Sequence, residues 1–87
     1  MRLASHLDLG AAAPLLAEFK RARRQPIEVD ASAVERIGGL CLQALLAAEA
    51  TWRADSVPFR IVQPSQSFVE ALRLAGAESI LMPEATQ

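Results

Sequence analysis

Few side chains in this sequence could do covalent chemistry. There is one cysteine, Cys41, and one histidine, His6. A thiol in the first turn of a helix has a lowered pKa, but a nucleophile also needs a nearby base, and His6 lies far from Cys41 in the sequence. A buried free cysteine behaves as a small apolar side chain. We therefore expect Cys41 to be structural and His6 to be neither a base nor a metal ligand.

Two aspartates and one serine follow predicted strands. Asp8 and Asp30 could meet at one edge of a sheet, where two carboxylates can hold a metal or act as acid and base. Aspartates at such positions more often cap helices and turns, and we expect that role here. Ser32 is expected to cap the turn after the strand. Since no metal spacing or cofactor fingerprint is present, we predict no catalytic, metal-binding or cofactor-binding residue.

Two further patterns have a functional and a structural interpretation. Gly38-Gly39 resembles a phosphate-binding loop before a helix, but the Lys-Ser/Thr pair of a P-loop is missing. We expect a turn that passes close to neighbouring backbone, with docking of an anion or a partner as the alternative. The four cations within residues 20–24 could contact acidic lipid or nucleic acid. We expect them to form the solvated end of a helix.

Composition restricts the class of protein. The chain has 87 residues, 52% of them hydrophobic, and a formal net charge of −1. This length fits one domain, and the near-neutral charge disfavours nucleic-acid binding. One cysteine excludes a disulfide framework, and no apolar run reaches the roughly 18 residues that a membrane span needs. We expect no signal peptide, because residues 1–6 contain no apolar core of sufficient length. We expect a cytoplasmic protein that does not insert into membranes.

Strands and helices are predicted to alternate. Apolar spacing and turn residues predict strands at 3–7, 27–30, 58–62 and 79–82, and helices at about 11–24, 40–54 and 65–75. The order β-α-β-α-β-α-β indicates an α/β fold: a small sandwich of a four-stranded, mostly parallel sheet with three helices. Residues 3–82 form the core of this single domain, and residues 83–87 are expected to be a frayed tail.

The same patterns predict a core and caps. Trp52 should face the core with its N–H at the rim. Ser65 or Ser67 should cap the third helix, Ser67 within a capping box with Glu70. Gly76 should end that helix. The residues predicted to be buried are Leu16, Phe19, Val29, Leu45, Ile61 and Leu72.

Several segments together resemble the STAS domain, named after sulfate transporters and anti-sigma factor antagonists. Residues 29–37, Val-Asp-Ala-Ser-Ala-Val-Glu-Arg-Ile, look like the family's Val-Asp-Leu-Ser-x-Val-x-x-Ile strand and loop. Leu7-Asp8-Leu9, the helix around residues 42–48, and Pro64-Ser65 with Leu74-Ala75-Gly76-Ala77 are similar to other family segments. The resemblance covers residues 3–82 and implies the STAS fold.

The chain departs from the family at one informative place. Anti-sigma factor antagonists carry Asp-Ser-Ser/Thr-Gly before the second helix, and a hydroxyl there accepts phosphate from a kinase. The corresponding residues here are Gly38, Gly39, Leu40 and Cys41. None has a hydroxyl to accept phosphate. The resemblance therefore implies a domain that is not phosphorylated at the usual position.

The resemblance implies a non-catalytic protein-interaction module. We expect a bacterial signalling role, with an anti-sigma kinase-like or chemotaxis partner. The alternatives are an accessory subunit that binds the ATPase subunit of an ABC-type phospholipid or solute transporter, and a small-molecule sensor. The partner-binding residues that the resemblance indicates are Asp8, Ser32, Gly38, Gly39, Leu40, Cys41 and Gln43.

Overall fold

Helices form where apolar residues follow the 3.6-residue period. The computed structural model describes residues 1–83. A 3₁₀ turn at Leu9–Ala11 leads into the first helix. The helices are α1 (Ala12–Arg21), α2 (Gly39–Ala54), α3 (Gln66–Ala75) and the short α4 (Glu78–Leu81). Pro14 lies in the first turn of α1, where its missing N–H costs no helical hydrogen bond. The three long helices are those that the sequence predicts, although α1 ends before residue 24.

Within residues 1–83, four short strands pair in parallel. They are β1 (His6–Leu7), β2 (Ile27–Asp30), β3 (Arg36–Ile37) and β4 (Phe59–Val62). β1 pairs with β3, and β2 pairs with β4 with Ile27 opposite Phe59. An isolated parallel bridge joins Arg2 to Asp30. The N-terminal segment thus lies beside β2 first and beside β3 afterwards.

The predicted single sheet is wrong in three respects. Residues 79–82, expected to be a strand, lie largely in α4, whose four residues are Glu78–Leu81. The fourth strand is instead β3, in a segment expected to be a connection. Within residues 1–83 the strands form two two-stranded sheets rather than one sheet of four. An α/β architecture with parallel pairing is confirmed, and residues 84–87 of the expected tail lie outside the described residues.

The core joins helices to strands. Phe19 of α1, Trp52 of α2 and Phe59 of β4 form an aromatic cluster with ring centroids 5.9–6.1 Å apart. Trp52 is buried, and its indole Nε1–H donates to the Gln25 carbonyl at 2.7 Å, as predicted. The buried apolar residues are Leu3, Leu7, Leu15, Phe19, Ile27, Val29, Ala31, Val34, Cys41, Ala44, Leu45, Ala48, Trp52, Phe68, Leu72, Ala77, Leu81 and Met82.

Four of the six predicted core residues are buried. Two are not: Ile61 is only half-buried, and Leu16 is 42% exposed. Leu16 is exposed because α1 turns Leu15 and Phe19 towards the core. Leu16 then lies at the edge of the apolar stripe, at the surface.

The ends of α3 follow the sequence. Ser65 is the N-cap, and its hydroxyl oxygen accepts from the Phe68 N–H at 3.0 Å. The capping box at Ser67 is therefore wrong. Gly76 ends the helix in the left-handed region, with φ of +72°. None of the helices within residues 1–83 is long and apolar enough to cross a membrane.

Candidate functional site

The turn before α2 is held by β1. The Gly38 N–H donates to the Leu7 carbonyl at 2.8 Å, which extends the pairing of β1 with β3. A Cβ on Gly38 would lie 3.4 Å from that carbonyl oxygen, whereas a Cβ on Gly39 would meet nothing within 4 Å. Gly38 is thus the position at which backbone passes close to a neighbour. Its lack of a side chain also leaves the N-terminus of α2 without a side-chain cap.

A shallow cleft, which we call the turn cleft, forms between this turn and the segment after β1. Its volume is about 200 Å³. It is lined by Asp8, Leu9, Gly38, Gly39, Leu40 and Cys41. Leu9 is 74% exposed and Leu40 is 51% exposed. The cleft therefore combines two exposed leucines with one carboxylate, and none of its six residues has a hydroxyl.

Cys41 closes the inner side of the turn cleft. It is buried, and its Sγ donates a hydrogen bond to the Asp8 carbonyl oxygen at 3.3 Å. Burial raises the pKa of the Cys41 thiol, and the Asp8 charge raises that pKa further. The thiol form is favoured, so the geometry suits packing and hydrogen bonding rather than nucleophilic attack.

The structure brings together five of the seven residues predicted to bind a partner. Asp8, Gly38, Gly39, Leu40 and Cys41 all line the turn cleft. Gln43 lies one turn further along α2, with an exposed side chain. Ser32 does not line the cleft. That these residues bind a partner stays a prediction.

Asp30 and Ser32 form a turn of their own after β2. The Ser32 N–H donates to Asp30 Oδ1 at 2.8 Å. Hydrogen bonds from Ser32, with a smaller contribution from Arg2 and the amino terminus, lower the pKa of Asp30. This is the turn-capping role expected for Asp30, whereas Ser32 takes part through its backbone N–H. Asp8, also expected to cap, lies at the N-cap of the 3₁₀ turn but makes no side-chain cap hydrogen bond. Within residues 1–83 no three His, Cys, Asp or Glu side chains lie together in a way that could hold a metal.

A second cleft, of about 220 Å³, adjoins the turn cleft at Asp8 and Gly38. His6 and Arg36 also line it, and His6 Nε2 lies 3.8 Å from a carboxylate oxygen of Glu35. Both clefts are smaller than the roughly 300–1,000 Å³ of typical small-molecule sites. The geometry therefore favours a surface for a macromolecule over a site for a small ligand.

The family of the chain follows from comparison with known proteins. A family model described as "Mlab, STAS domain" matches residues 1–83. The chain belongs to the STAS domain family. No curated protein and no solved structure matches it.

STAS domains are regulatory protein-interaction modules and are generally non-catalytic. In this STAS domain, Leu40 lines the turn cleft. That it stands where anti-sigma factor antagonists have a phosphate-accepting hydroxyl stays a prediction from the resemblance. Leu9 is a member of the cleft that the sequence did not reveal. Its apolar type and its position between a strand and a helix do not distinguish a docking residue from a core residue.

Proposed function

We propose that this STAS domain is a non-catalytic, cytoplasmic interaction module whose protein partner docks on the turn cleft. The observation that carries the proposal is the exposure of Leu9 and Leu40 on one cleft. Burying a leucine side chain fully contributes about 1.5–3 kcal/mol. Because Leu9 is 74% exposed and Leu40 is 51% exposed, a partner that covers both leucines gains the part of that burial that the domain itself does not already provide.

Docking on the turn cleft is proposed to be independent of phosphorylation of this chain. A phosphate needs an oxygen to carry it, and the residues of the cleft supply only glycine, leucine, cysteine and aspartate side chains. The interaction is then controlled by the abundance or the state of the partner. We place it in a bacterial signalling system, with an anti-sigma kinase-like or chemotaxis protein as the partner.

The second candidate function is that of an accessory subunit of an ABC-type phospholipid or solute transporter, docked on its ATPase subunit. It is favoured by the same absence of a hydroxyl from the turn cleft, because such an interaction needs no phosphorylation switch. The two candidates differ in the partner and share the docking surface.

Exchange of one exposed leucine tests the docking surface. Leu40→Asp puts an unpaired charge in the cleft, and leaving a charge desolvated without a partner is costly. We expect the partner that co-purifies with the tagged protein from its native cells to be retained at least about tenfold less. Leu74→Asp, on α3 and at an 81% exposed leucine, is the matched control and should retain the partner. The identity of the retained protein, a signalling protein or a transporter ATPase, separates the two candidates.

Equal retention of the partner by the wild type and Leu40→Asp would contradict the docking surface, whichever partner is found.

A separate measurement tests whether this chain lacks a phosphorylation switch. After incubation with an anti-sigma kinase and ATP, intact-mass spectrometry should show the unmodified mass. A stoichiometric gain of one phosphate, at Ser32 or elsewhere, would show that the switch has moved to another residue.

A further inference from the structure

A second apolar surface lies between α1 and α2, towards their C-terminal ends. We call it the helix groove. It has a volume of about 200 Å³, with Leu16 of α1 on one wall and Ala44, Ala47 and Ala48 of α2 on the other. The two helices run in the same direction, because Cys41 at the start of α2 contacts Asp8 before α1, and Asp55 after α2 pairs with Arg23 after α1. The small alanine side chains leave room for a third helix to approach closely.

The outer face of α2 carries no charge over most of its length. Its exposed residues before the last turn are Gly39, Leu40, Gln43, Ala47 and Ala50. The two charged residues of α2, Glu49 and Arg53, lie 3.8 Å apart and pair with each other. A surface helix ordinarily presents charged residues to water, and a helix that is apolar on all sides is normally covered. Leu16, across the groove, is exposed although its spacing is typical of a buried position.

Cations surround the C-terminal end of the groove. Lys20 and Arg23 line it. Arg23 pairs with Asp55 at 3.3 Å, whereas no carboxylate of residues 1–83 lies within ion-pair distance of Lys20, Arg21 or Arg24. This local excess of positive charge contrasts with the chain's net charge of −1. A binding segment that complements this charge would carry carboxylates at the end that lies near these cations.

We propose that the helix groove is a second docking site, which binds an amphipathic helix of a partner protein. That helix carries large apolar residues at helical spacing and two or more Asp or Glu residues at the end near Lys20. The groove runs along α2 from Ala44 to Trp52, about 12 Å at roughly 1.5 Å per residue, so it holds two to three turns of the bound helix. This is the helix-in-groove mode of recognition.

A membrane surface fits this region less well. An interfacial helix buries a broad face of large apolar residues, whereas the exposed large apolar residue of α1 beside the cations is Leu16 alone. The site is also distinct from the turn cleft. No residue lines both surfaces, although Ala44, the first groove residue of α2, follows Leu40 by four residues, or about 6 Å along the helix at roughly 1.5 Å per residue.

Photo-crosslinking of the full-length chain in its native cells tests the site. Benzoylphenylalanine is placed at Ala47, in the groove, and at the exposed Gln66 of α3 as the control position. The crosslinked peptide from Ala47 is mapped by mass spectrometry. We expect it to lie in a segment of a different protein that has apolar residues at helical spacing and at least two carboxylates, with no such product from Gln66.

Charge variants complete the test. Lys20→Glu should lower the crosslink yield from Ala47 at least about fivefold, because it repels the carboxylates of the bound helix, while Arg73→Glu on α3 should leave it unchanged. The proposal is overturned by crosslinks between two copies of the chain, by a captured segment without carboxylates, or by no product from Ala47 above that from Gln66. A lipid surface would replace the proposal if the wild-type protein sediments with vesicles containing phosphatidylglycerol and Lys20→Glu abolishes this sedimentation.

Discussion

Cys41 shows how one side chain can support the candidate site without reacting. Its Sγ is buried and bonded to the Asp8 carbonyl oxygen, and burial, followed by the Asp8 charge, raises the pKa of the thiol. Because the thiolate is the nucleophile, Ellman's reagent at pH 8 should modify the folded protein at least about 100-fold more slowly than the chain unfolded in guanidinium chloride. Equal rates in the two states would contradict the burial of the thiol.

The raised pKa of Cys41 also gives a pH dependence of stability. The unfolded chain releases the thiol proton near the ordinary pKa of 9.0, and the folded chain releases it only at higher pH. The unfolded state therefore binds fewer protons in this range, and the free energy of unfolding falls as pH rises above about 9. Urea melts should show a steeper fall for the wild type than for Cys41→Ala, in which this titration is absent. Parallel pH profiles would contradict the shift.

Leucines mark the limit of prediction at the scale of single residues. Leu15, Leu16 and Phe19 all fit one helical stripe, yet α1 buries Leu15 and Phe19 and exposes Leu16. A stripe about 100° wide contains positions at its edge, and the packing of neighbouring elements decides which of them is covered. Leu40 was placed on the turn by its alignment with the family pattern, whereas Leu9 had no such pattern to distinguish it from a core residue.

Ser65 ties α3 to the loop after β2. Its hydroxyl accepts from the Phe68 N–H at 3.0 Å and donates to the Val34 carbonyl at 2.6 Å. Ser65→Ala removes both bonds, and we expect the free energy of unfolding to fall by about 1–2 kcal/mol in urea melts. Ser67→Ala, at an exposed position of the same helix, is the control and should change it by less than about 0.5 kcal/mol. A larger loss of unfolding free energy in Ser67→Ala than in Ser65→Ala would contradict Ser65 as the N-cap and support the capping box at Ser67.

The elements that sequence could not predict are those decided by tertiary contacts. Residues 79–82, Ser-Ile-Leu-Met, form a short apolar run, and periodicity alone does not separate a strand from a helical turn at that length. β3 is only Arg36–Ile37, too short to leave a pattern of its own. It is a strand because β1 lies beside it, with the Glu35 and Arg36 N–H groups both donating to the Ser5 carbonyl. Longer elements with a clear period, such as α2, were predicted well.

The candidate site depends on the whole molecule, because its two sides come from distant parts of the chain. Asp8 and Leu9 follow β1, while Gly38 immediately precedes α2 and Gly39–Cys41 form its first turn. The N-terminal segment holds these parts in place: Met1 and Leu3 bond to Asp30, and Leu7 bonds to Gly38. A pattern within one segment can therefore suggest the residues of the site, but their meeting in one cleft follows only from the fold.

Leu45 is the residue at which this dependence on the whole core is best measured. It lies fully buried in the middle of α2, and truncation of such a leucine costs about 2–5 kcal/mol through lost burial and a cavity. At roughly 0.05–0.15 kcal/mol per residue, a chain of this length is stable by only about 4–13 kcal/mol. Leu45→Ala should therefore remove a large part of the stability in urea melts followed by the fluorescence of Trp52, the one tryptophan. Leu74→Ala, at an exposed leucine of α3, should cost less than about 0.5 kcal/mol. A loss below about 1 kcal/mol in Leu45→Ala would mean that α2 does not pack on the core through this face. The turn cleft and the helix groove, which α2 residues line, would then both be wrongly placed.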